Sequence, residues 1–542
     1  MLRDESGVRA ANRFDGLRRL GSCLALTVAS LLASGCASLP RDVQRVPSQA
    51  VPASADTELG RIALASTQDP ALSGFRLMSW SEQSFATRLA LAARAQRSLD
   101  LQYYVFDDDG TGRVLLRALR DAAARGVRVR LLLDDLYTGG NDPLLLGLAA
   151  HPNVEVRLFN PFMVRHEGVV ARVAGSLFDF GRVNHRMHNK LFIADGAMAV
   201  AGGRNIGDEY FMAHQGANYI DLDVFAVGAV LPTLASLFDQ YWNSVHVYPL
   251  EAIVPAAEPA AERRRRFEQA TLVARGPPLP GPGTKDILGQ SGIAEELATG
   301  RLALTWAQAQ AFADSPDKVV DPPHRTVGET KAAGTTVRQS LMTELLRARR
   351  GVLISSPYLV PDRSVMEDIM EGRLWNLPIT VITNSLASTD EPLVHAGYQR
   401  YRTEMLDLGV RLYEVAPSRI QRSTNLGSFG QSIGRFHAKA AAIDGELMFI
   451  GSLNFDPRSE KHNTELGLLI RSPELTGQLI RLAELVIKEA AYQVRLGPDR
   501  KSLEWHIRTA EGEQVFTEEP DTSWWQRTML HLVGPFIPEG QL

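Results

Sequence analysis

Apolar and polar residues follow two different periods from about residue 74 onward. Helical spacing of the apolar positions predicts helices over residues 81–95 and 110–126, and short apolar runs predict strands over residues 98–106 and 127–133. Helix and strand patterns that alternate at this spacing indicate βαβ units and a largely parallel or mixed sheet. The sequence therefore predicts an α/β fold in which helices flank a mixed β-sheet.

The same pattern returns in the second half of the chain. The apolar run at residues 350–358 is similar to the run at 97–104, and the run at 378–384 is similar to the one at 127–134. A set of polar residues also repeats, because two His-x-Lys-x4-Asp motifs begin 249 positions apart, at 188 and 437. We therefore predict two tandem copies of one domain.

Composition divides the rest of the chain around these two copies. The first copy is predicted over residues 75–250 and the second over 335–500. Residues 251–334 are rich in Pro, Ala and Arg, which predicts a linker or insertion with short helices. Residues 501–542 form a C-terminal extension with two adjacent tryptophans. Its apolar stretch fits either an interfacial helix or a helix docked on the core, and its short length favours the docked helix.

The N-terminus has the pattern of an export signal. Three arginines precede the apolar stretch 20–33, which is too short to span a membrane, and small residues lead to Cys36. This pattern predicts a lipoprotein signal peptide over residues 1–35, lipid modification of Cys36, and a tether over residues 36–74. An ordinary secretory signal that happens to contain a cysteine is the alternative.

Cysteine content and charge narrow the function classes. The two cysteines are Cys23, within the predicted signal, and Cys36, so the mature chain has no disulfide and no cysteine metal site. The formal net charge is −4, and removal of residues 1–35, with five arginines and three acids, leaves −6. This charge disfavours nucleic acid as a partner, and it predicts that membrane attachment is covalent and hydrophobic.

The repeated motifs carry the predicted chemistry. Residues two apart on a strand point to one face, so each histidine is expected beside its lysine. One imidazole can attack phosphorus while the other protonates the leaving oxygen, and lysine donors stabilise charge on the other phosphate oxygens. These residues predict phosphodiester chemistry that needs no metal or other cofactor. The catalytic candidates are the six motif residues His188, Lys190, Asp195, His437, Lys439 and Asp444.

The residues after each motif lysine predict a hairpin. Each motif aspartate precedes a glycine, so the chain is expected to turn at Asp195 and Asp444 and to run back to a Gly-x-x-Asn segment. This geometry brings Asn205 and Asn454 near the histidines as phosphate-binding groups. A place in the turn favours a structural role for the two aspartates over direct catalysis.

The motif pair resembles the paired HKD motifs of the phospholipase D superfamily. The second copy matches fully, with Ser452, Asn454 and Glu465 on the family's spacing. The first copy has Gly203 in place of a hydroxyl residue, so a phosphate donor there is either missing or replaced by backbone N–H groups. A carboxylate must orient each imidazole, and Glu465 and the displaced Asp223 are the candidates. Segments around both motifs are similar to the bacterial cardiolipin synthase C group.

The resemblance implies two tandem phospholipase D-type domains with one active site at their pseudo-twofold interface. It implies that His188 attacks a phosphatidylethanolamine or phosphatidylglycerol donor while His437 protonates the departing alcohol. Phosphatidylglycerol then accepts the phosphatidyl group, which yields cardiolipin. The candidate substrate-pocket residues are Tyr104, Tyr358, His395 and Tyr398.

The expected partners are phospholipids and a membrane, with no nucleic acid and with an accessory protein left open. Both motifs lie in one chain, so a monomer is expected. The enzyme is expected to be lipid-anchored and to face the periplasm of a bacterial cell envelope, and Ala37 after the cysteine favours the outer membrane. A hydrolytic phospholipase D that uses water is the alternative function, and a phosphodiesterase or nuclease is less favoured.

Overall fold

The structure, a computed structural model, describes residues 39–509 and 512–540 with gaps at 41, 164, 166–169, 171, 173–175, 177–178, 320–335, 362, 371–376 and 539. The predicted signal peptide and Cys36 lie outside the described residues. Among the described residues, no helix is both long enough and apolar enough to cross a membrane.

Helices and strands alternate through the first half, as the periodicity predicts. The strands are β1 (Ser73–Met78), β2 (Ser98–Tyr103), β3 (Arg128–Asp134), β4 (Val154–Phe159), β5 (Leu191–Ala194), β6 (Met198–Gly202), β7 (Ala217–Ile220), β8 (Asp223–Gly228) and β9 (Val247–Pro249). The helices are α1 (Glu58–Ser66), α2 (Ser81–Arg94), α3 (Gly110–Ala124), α4 (Asp142–Ala149), α5 (Phe180–Val183), α6 (Leu231–Trp242), α7 (Leu250–Ile253), α8 (Ala260–Leu272) and α9 (Ile293–Thr299).

The second half repeats this alternation. Its strands are β10 (Thr305–Ala313), β11 (Val352–Ser355), β12 (Ile379–Asn384), β13 (Arg411–Val415), β14 (Ile433–Phe436), β15 (Ala440–Ile443), β16 (Leu447–Gly451), β17 (Leu466–Arg471), β18 (Ala491–Leu496), β19 (Leu503–Thr509) and β20 (Gly512–Phe516). Its helices are α10 (Val337–Leu345), α11 (Arg363–Met370), α12 (Pro392–Asp407), α13 (Pro417–Ile420), α14 (Pro457–Lys461), α15 (Pro473–Ala490) and α16 (Trp524–Val533).

The two halves have the same sheet order. Neighbouring strands run β9-β4-β3-β2-β5-β6-β8-β1 in the first half, and β2, β3 and β4 are parallel. The second half runs β18-β13-β12-β11-β15-β16-β17-β10, with β11, β12 and β13 parallel. β1 pairs with β10 in antiparallel fashion, as a pseudo-twofold axis requires of equivalent strands. This arrangement confirms the predicted tandem α/β fold.

The core is continuous between the halves. The buried residues Leu191 and Val224 of the first half share one hydrophobic cluster with Ile450 and Leu468 of the second. Burying apolar surface contributes roughly 25 cal/mol per Å², so a shared cluster holds the two copies in one orientation. The interface is therefore a rigid place on which to build a site.

Two segments predicted to lie outside the copies belong to the fold. Residues 305–313, within the predicted linker, form β10, through which the two sheets meet. Within the predicted tether, α1 packs into the core through Leu59, which is fully buried. Ahead of α1, the backbone N–H of Ala50 donates to Asp239 at 2.7 Å. A tether over residues 36–74 is therefore wrong from about Ser48 onward, where backbone groups find partners on the first half.

Candidate active site

The second histidine motif reaches the interface by pairing with the first half. β14 pairs in parallel with β7, and the pairing continues one residue further, where the His437 backbone N–H donates to the Ile220 carbonyl at 2.8 Å. Asp221 follows Ile220 and comes to lie beside the imidazole. Its Oδ2 accepts a hydrogen bond from His437 Nδ1 at 2.6 Å.

The first histidine motif reaches the interface in the same way, by pairing with a segment of the second half. The His188 backbone N–H donates to the Thr464 carbonyl, and the Thr464 N–H donates to the Arg186 carbonyl, both at 2.9 Å. Glu465 follows Thr464 and accepts from His188 Nδ1, with distances of 2.9 Å to Oε2 and 3.2 Å to Oε1. Each imidazole is thus oriented by a carboxylate of the other half.

These carboxylates fix the tautomer of both imidazoles. A carboxylate is an acceptor, so we assign the hydrogen to Nδ1 of each ring, which leaves the Nε2 lone pair available. Lys439 Nζ donates to His437 Nε2 at 3.0 Å. His188 and His437 are therefore not equivalent, because Nε2 of His437 accepts a hydrogen bond from the lysine of its own motif.

The motif lysines lie directly beside their histidines. Lys190 Nζ donates to the His188 carbonyl at 2.6 Å, and Lys439 Nζ donates to the His437 carbonyl at 2.8 Å. Both lysine side chains are buried. Buried ammonium groups at fixed positions stabilise charge that develops on phosphate oxygens far better than exposed ones.

Burial shifts the pKa values of the whole cluster. Burial, with the positive charges of the two lysines, holds the pKa of His188 well below its usual value, and burial with Lys439 lowers the pKa of His437. Burial also raises the pKa of Glu465 to about 7 and lowers the pKa of Lys439 to about 8. At neutral pH the site therefore presents two neutral imidazoles, which suits a nucleophile and a proton carrier.

Two of the predicted phosphate-binding residues hydrogen-bond to other parts of the site, and a third has an unpartnered side-chain oxygen. Asn205 accepts a backbone N–H and donates from Nδ2 to the Tyr210 hydroxyl at 2.9 Å, so it holds the wall of the site. Ser452 Oγ donates to Glu465 and so supports the carboxylate that orients His188. The side-chain oxygen of Asn454 is buried and has no partner among the described residues. This oxygen can only accept a hydrogen bond, so any contact of Asn454 with a phosphate oxygen would have to come from its Nδ2 amide group.

Gly203 stands where the second half has Ser452. A Cβ at Gly203 would lie 2.2 Å from Asp221 Oδ1, so a side chain there would displace the carboxylate from His437. The Gly203 N–H donates to the Leu222 carbonyl at 3.1 Å. The expectation that this N–H replaces a phosphate donor is therefore wrong, because the group already has a partner.

Asp223 does not orient a histidine. Its carboxylate forms a buried ion pair with Arg88 at 3.0 Å and accepts from Ser84 Oγ at 2.7 Å, both on α2. Asp221 takes the predicted role, because the β7–β14 pairing brings it beside the His437 imidazole. The sequence has two acids here, Asp221 and Asp223, where the second copy has Glu465. Spacing alone did not show which of the two orients the histidine.

The motif aspartates are turn residues. Asp195 and Asp444 have φ values of 51° and 56°, and the following glycines also have positive φ, as a type I′ turn requires. Asp195 accepts the backbone N–H groups of residues 96–98, and Asp444 accepts those of residues 349–351. These contacts support the structural role that a place in the turn favours over direct catalysis for both aspartates.

Two of the four predicted pocket residues lie at the site. The Tyr104 ring contacts His188 edge-on at 4.9 Å between centroids. Burial raises the pKa of the Tyr358 hydroxyl, and the acidic groups of Asp390, Tyr219 and Tyr210 nearby raise it further. Periodicity gave no reason to single out these three neighbours, which come from separate segments of the chain.

The other two predicted pocket residues lie elsewhere. The Tyr398 hydroxyl donates to Glu414 at 2.9 Å, and Arg402 Nη2 lies 3.2 Å from His395 Nε2 and 2.8 Å from Glu519. This buried network joins α12 to the C-terminal extension. The prediction that His395 and Tyr398 line the substrate pocket is therefore wrong, because both point into the structure beneath α12.

Comparisons with known proteins give the same division of the chain. A family model described as "Cardiolipin synthase, PLD-like domain" matches residues 89–242 and 341–485, one stretch in each half. The chain belongs to this family of the phospholipase D superfamily. Each matched stretch contains one histidine motif, so the family signal covers both halves of the site.

Relatives of this cardiolipin synthase family cover most of the chain. Cardiolipin synthase C of Escherichia coli K12 is 40% identical over 485 residues, which span 86% of this chain and 96% of that protein. The cardiolipin synthase of Geobacillus kaustophilus HTA426 is 24% identical and spans 74% of this chain and 63% of that protein. The chain is accordingly an enzyme of this superfamily, a phosphatidyltransferase of the cardiolipin synthase type.

A solved structure supports the fold. The crystal structure of phosphatidylserine synthase from Haemophilus influenzae Rd KW20 is similar with a TM-score of 0.53 at 12% sequence identity. It covers 88% of this chain and 98% of that chain. The two-domain architecture is therefore shared across nearly the full length.

Proposed function

We propose that this enzyme transfers a phosphatidyl group to phosphatidylglycerol through a phosphohistidine, which makes cardiolipin. The observation that carries the proposal is the crossed arrangement of His188 with Glu465 and of His437 with Asp221. It places two neutral, oriented imidazoles from different halves at one interface, as a two-step displacement at phosphorus requires.

In the first step, His188 is the nucleophile. Its Nε2 forms a bond to phosphorus while the bond from phosphorus to the head-group oxygen breaks. The proton that Lys439 shares with His437 Nε2 passes to the departing oxygen. This hydrogen bond is the reason to assign the acid to the second half and the nucleophile to the first, since a neutral His188 keeps its lone pair free for attack.

In the second step, His437 is the base. It takes the proton from a hydroxyl of phosphatidylglycerol, whose oxygen attacks the phosphorus, and passes that proton back to Lys439, which restores the starting state. The bond between phosphorus and His188 breaks and returns its electron pair to Nε2. Glu465 stabilises the positive charge that His188 carries in the intermediate, and Lys190, Lys439 and the Asn454 side chain are the proposed phosphate donors.

The neighbourhood of His437 favours a cationic leaving group. Asp390 accepts from the Tyr219 hydroxyl at 2.8 Å, and the Tyr219 ring lies 4.9 Å from His437 and stacks on Tyr210 at 4.8 Å. The second Asp390 oxygen is buried and has no partner among the described residues. Tyrosine faces and a carboxylate bind an ammonium group, so we propose phosphatidylethanolamine as the preferred donor, with its ammonium at Asp390.

Replacing Asp390 tests the donor. Asp390→Asn is expected to lower kcat/KM for phosphatidylethanolamine by roughly tenfold or more, because the ammonium loses its charged partner. The reaction between two phosphatidylglycerol molecules is expected to keep its rate within about twofold. Mass spectrometry of vesicles with and without phosphatidylethanolamine measures both. An equal loss with both donors would contradict the assignment.

Exclusion of water favours transfer over hydrolysis. The side chains of His188 and His437 are 7% and 5% exposed. A site this closed limits access of water to a phosphohistidine, so the acceptor is proposed to be a lipid hydroxyl. A nuclease is disfavoured by the predicted charge of −6 after removal of residues 1–35.

Lipid analysis decides between these functions. Purified wild type and His188→Ala are given phosphatidylglycerol vesicles with and without phosphatidylethanolamine, and the products are measured by mass spectrometry. Cardiolipin from the wild type that is lost in the variant is the expected result. Phosphatidic acid alone would identify a hydrolase. Turnover of neither lipid would contradict both the transferase and the hydrolase and would favour a nuclease.

The proposed setting is the bacterial cell envelope. We propose a monomer that is lipid-anchored through Cys36, faces the periplasm and favours the outer membrane. Incorporation of labelled fatty acid into wild type and its absence from Cys36→Ser are expected, and cell fractionation gives the membrane. Labelling that persists in Cys36→Ser would contradict the anchor.

A further inference from the structure

Most of the apolar surface of α16 is open to solvent. Trp524 is 67% exposed, Trp525 60% and Leu532 60%, and Phe536 in the following turn is 85% exposed. Leu530 is the buried residue of this helix, and it packs against α12. The docked helix that the sequence favours is thus attached through Leu530 and through its end, where Arg400 donates to the Gly534 carbonyl. Exposed apolar groups in such density mark an interaction surface.

This surface continues toward the active site along α12. Leu393, on the first turn of α12, is 49% exposed, and it lies on the same face as Ala396, which approaches Gly534 of the α16 end. Asp390 stands three residues before Leu393, and its partner Tyr219 contacts His437. The exposed apolar groups therefore lead to the acid side of the catalytic pair.

The chain after α16 leads to the nucleophile side. The Gly540 carbonyl accepts from His462 Nε2 at 3.0 Å, and His462 Nδ1 lies 3.3 Å from the ring of His185, three residues before His188. Phe180, at 42% exposure, lies next to Gly181, whose carbonyl contacts His185 Nδ1 at 2.8 Å. Exposed apolar groups thus flank the interface between the halves on both sides.

We propose that α16, Phe536 and Leu393, here called the C-terminal apolar surface, docks on a phospholipid bilayer and turns the interface between the halves toward the lipid head groups. Adjacent tryptophans with leucine and phenylalanine match the boundary between head groups and acyl chains. The proposal rests on the proposed function, because lipid substrates with two acyl chains lie in a bilayer and must enter from it.

The first described residues of the chain lie on the same side. Arg45 donates to the Val247 carbonyl at 2.7 Å, and the residue before Val247 accepts from the Asn160 N–H, whose side chain donates to the His185 carbonyl at 2.8 Å. The nine residues from Cys36 to Arg45 span at most about 30 Å. An anchor at Cys36 would therefore hold the side of the molecule that carries His185 near the membrane.

Vesicle binding tests the surface directly. The full mature chain with Cys36→Ser, which removes the predicted anchor, is compared with the same chain carrying Trp524→Ser, Trp525→Ser and Phe536→Ser. In co-sedimentation with phosphatidylglycerol–phosphatidylethanolamine vesicles, the triple variant is expected to bind roughly tenfold or more weakly than the parent Cys36→Ser chain. The reason is that three large apolar side chains no longer enter the lipid. The matched control changes Leu272, the last residue of α8, and Val273, the residue after it, to serine; both are as exposed as the tryptophans, and this control is expected to bind unchanged.

Activity on two kinds of substrate separates docking from catalysis. The triple variant is expected to lose turnover of vesicle lipids and to keep turnover of short-chain dispersed lipids within about twofold. Vesicle binding equal to that of the parent chain would overturn the proposal, as would absence of binding by the parent chain together with concentration-dependent dimerisation. Absence of turnover on both substrates in the parent chain would instead contradict the proposed function.

Fluorescence locates the contact. Brominated lipids are expected to quench the tryptophan fluorescence of the parent chain. The double variant Trp524→Phe, Trp525→Phe is expected to bind vesicles as before and to lose most of this quenching. Quenching that is unchanged in this variant would overturn the assignment to α16, because the remaining fluorescence would come from other tryptophans.

Discussion

At the scale of single residues, Lys439 makes the two halves of a symmetric site unequal. Its Nζ donates to His437 Nε2, and no such bond links Lys190 to the His188 ring among the contacts of the described residues. A lysine whose pKa burial lowers to about 8 gives up a proton more readily than an ordinary one. The proton therefore lies on the side that we propose for the departing head group.

Asp221→Asn tests the carboxylate that orients His437. The amide is expected to lower the transfer rate by about 10³-fold or more, since it disfavours the tautomer with hydrogen on Nδ1. Asp223→Asn is the control and is expected to lower thermal stability, because Arg88 loses its charged partner, while the folded fraction keeps its turnover. Loss of turnover in folded Asp223→Asn with normal Asp221→Asn would reverse the assignment.

The pH dependence of the rate follows from two buried groups. Below about pH 7, Glu465 takes a proton and no longer stabilises the charge on His188; above about pH 8, Lys439 loses its proton. The single-turnover rate is expected to be greatest between these values and to fall on either side. Glu465→Gln is expected to lower the plateau and remove the acidic limb, and a limb that persists in this variant would contradict its origin.

At the scale of elements, the two hairpins after the motif lysines are the rigid supports of the site. β5 and β6 are joined by Asp195, and β15 and β16 by Asp444, with each carboxylate holding three backbone N–H groups that precede β2 or β11. The hairpin and its neighbouring strand are thus locked together. The rigid hairpin therefore fixes the positions of the histidine and lysine just before it.

Removing this support is expected to affect stability rather than chemistry. Asp195→Asn is expected to cost about 1–3 kcal/mol in the free energy of unfolding, because three backbone N–H groups lose a charged acceptor. Asp444→Asn is expected to cost less, since its turn is more exposed to water. Urea unfolding gives the stability, and turnover per folded molecule is expected to stay within about threefold. A fall of a hundredfold or more would restore the direct catalytic role.

At the scale of the whole molecule, neither half contains a complete site. The proposed nucleophile His188 depends on Glu465, and the proposed proton carrier His437 depends on Asp221, so both halves must be packed together before either imidazole is oriented. The shared cluster and the β1–β10 pairing provide that packing. Duplication of one domain has therefore produced a single catalytic centre.

A mixing experiment tests whether one chain suffices. His188→Ala and His437→Ala are each expected to be inactive, and co-expression of the two is expected to recover no activity, since each site draws both histidines from one chain. Size-exclusion chromatography with light scattering checks that the mixed species are monomers. Recovery to about a quarter of the wild-type rate would indicate that chains exchange halves.

The sequence by itself determined the α/β class, the repeat, the motif histidines and lysines, and the hairpin turns at Asp195 and Asp444. Each of these follows from local periodicity or turn chemistry, which the chain encodes over a few residues. β10 escaped detection because its alternation of alanine with glutamine carries a weak apolar signal.

Only the tertiary structure decided which carboxylate meets His437. Asp221 and Asp223 differ by two positions in the sequence, and the contact joins residues 216 positions apart, so its register depends on the β7–β14 pairing. The same holds for His395, whose partner Glu519 lies far along the chain. Contacts of this kind depend on how separate elements pack, and no local pattern of side chains records that packing.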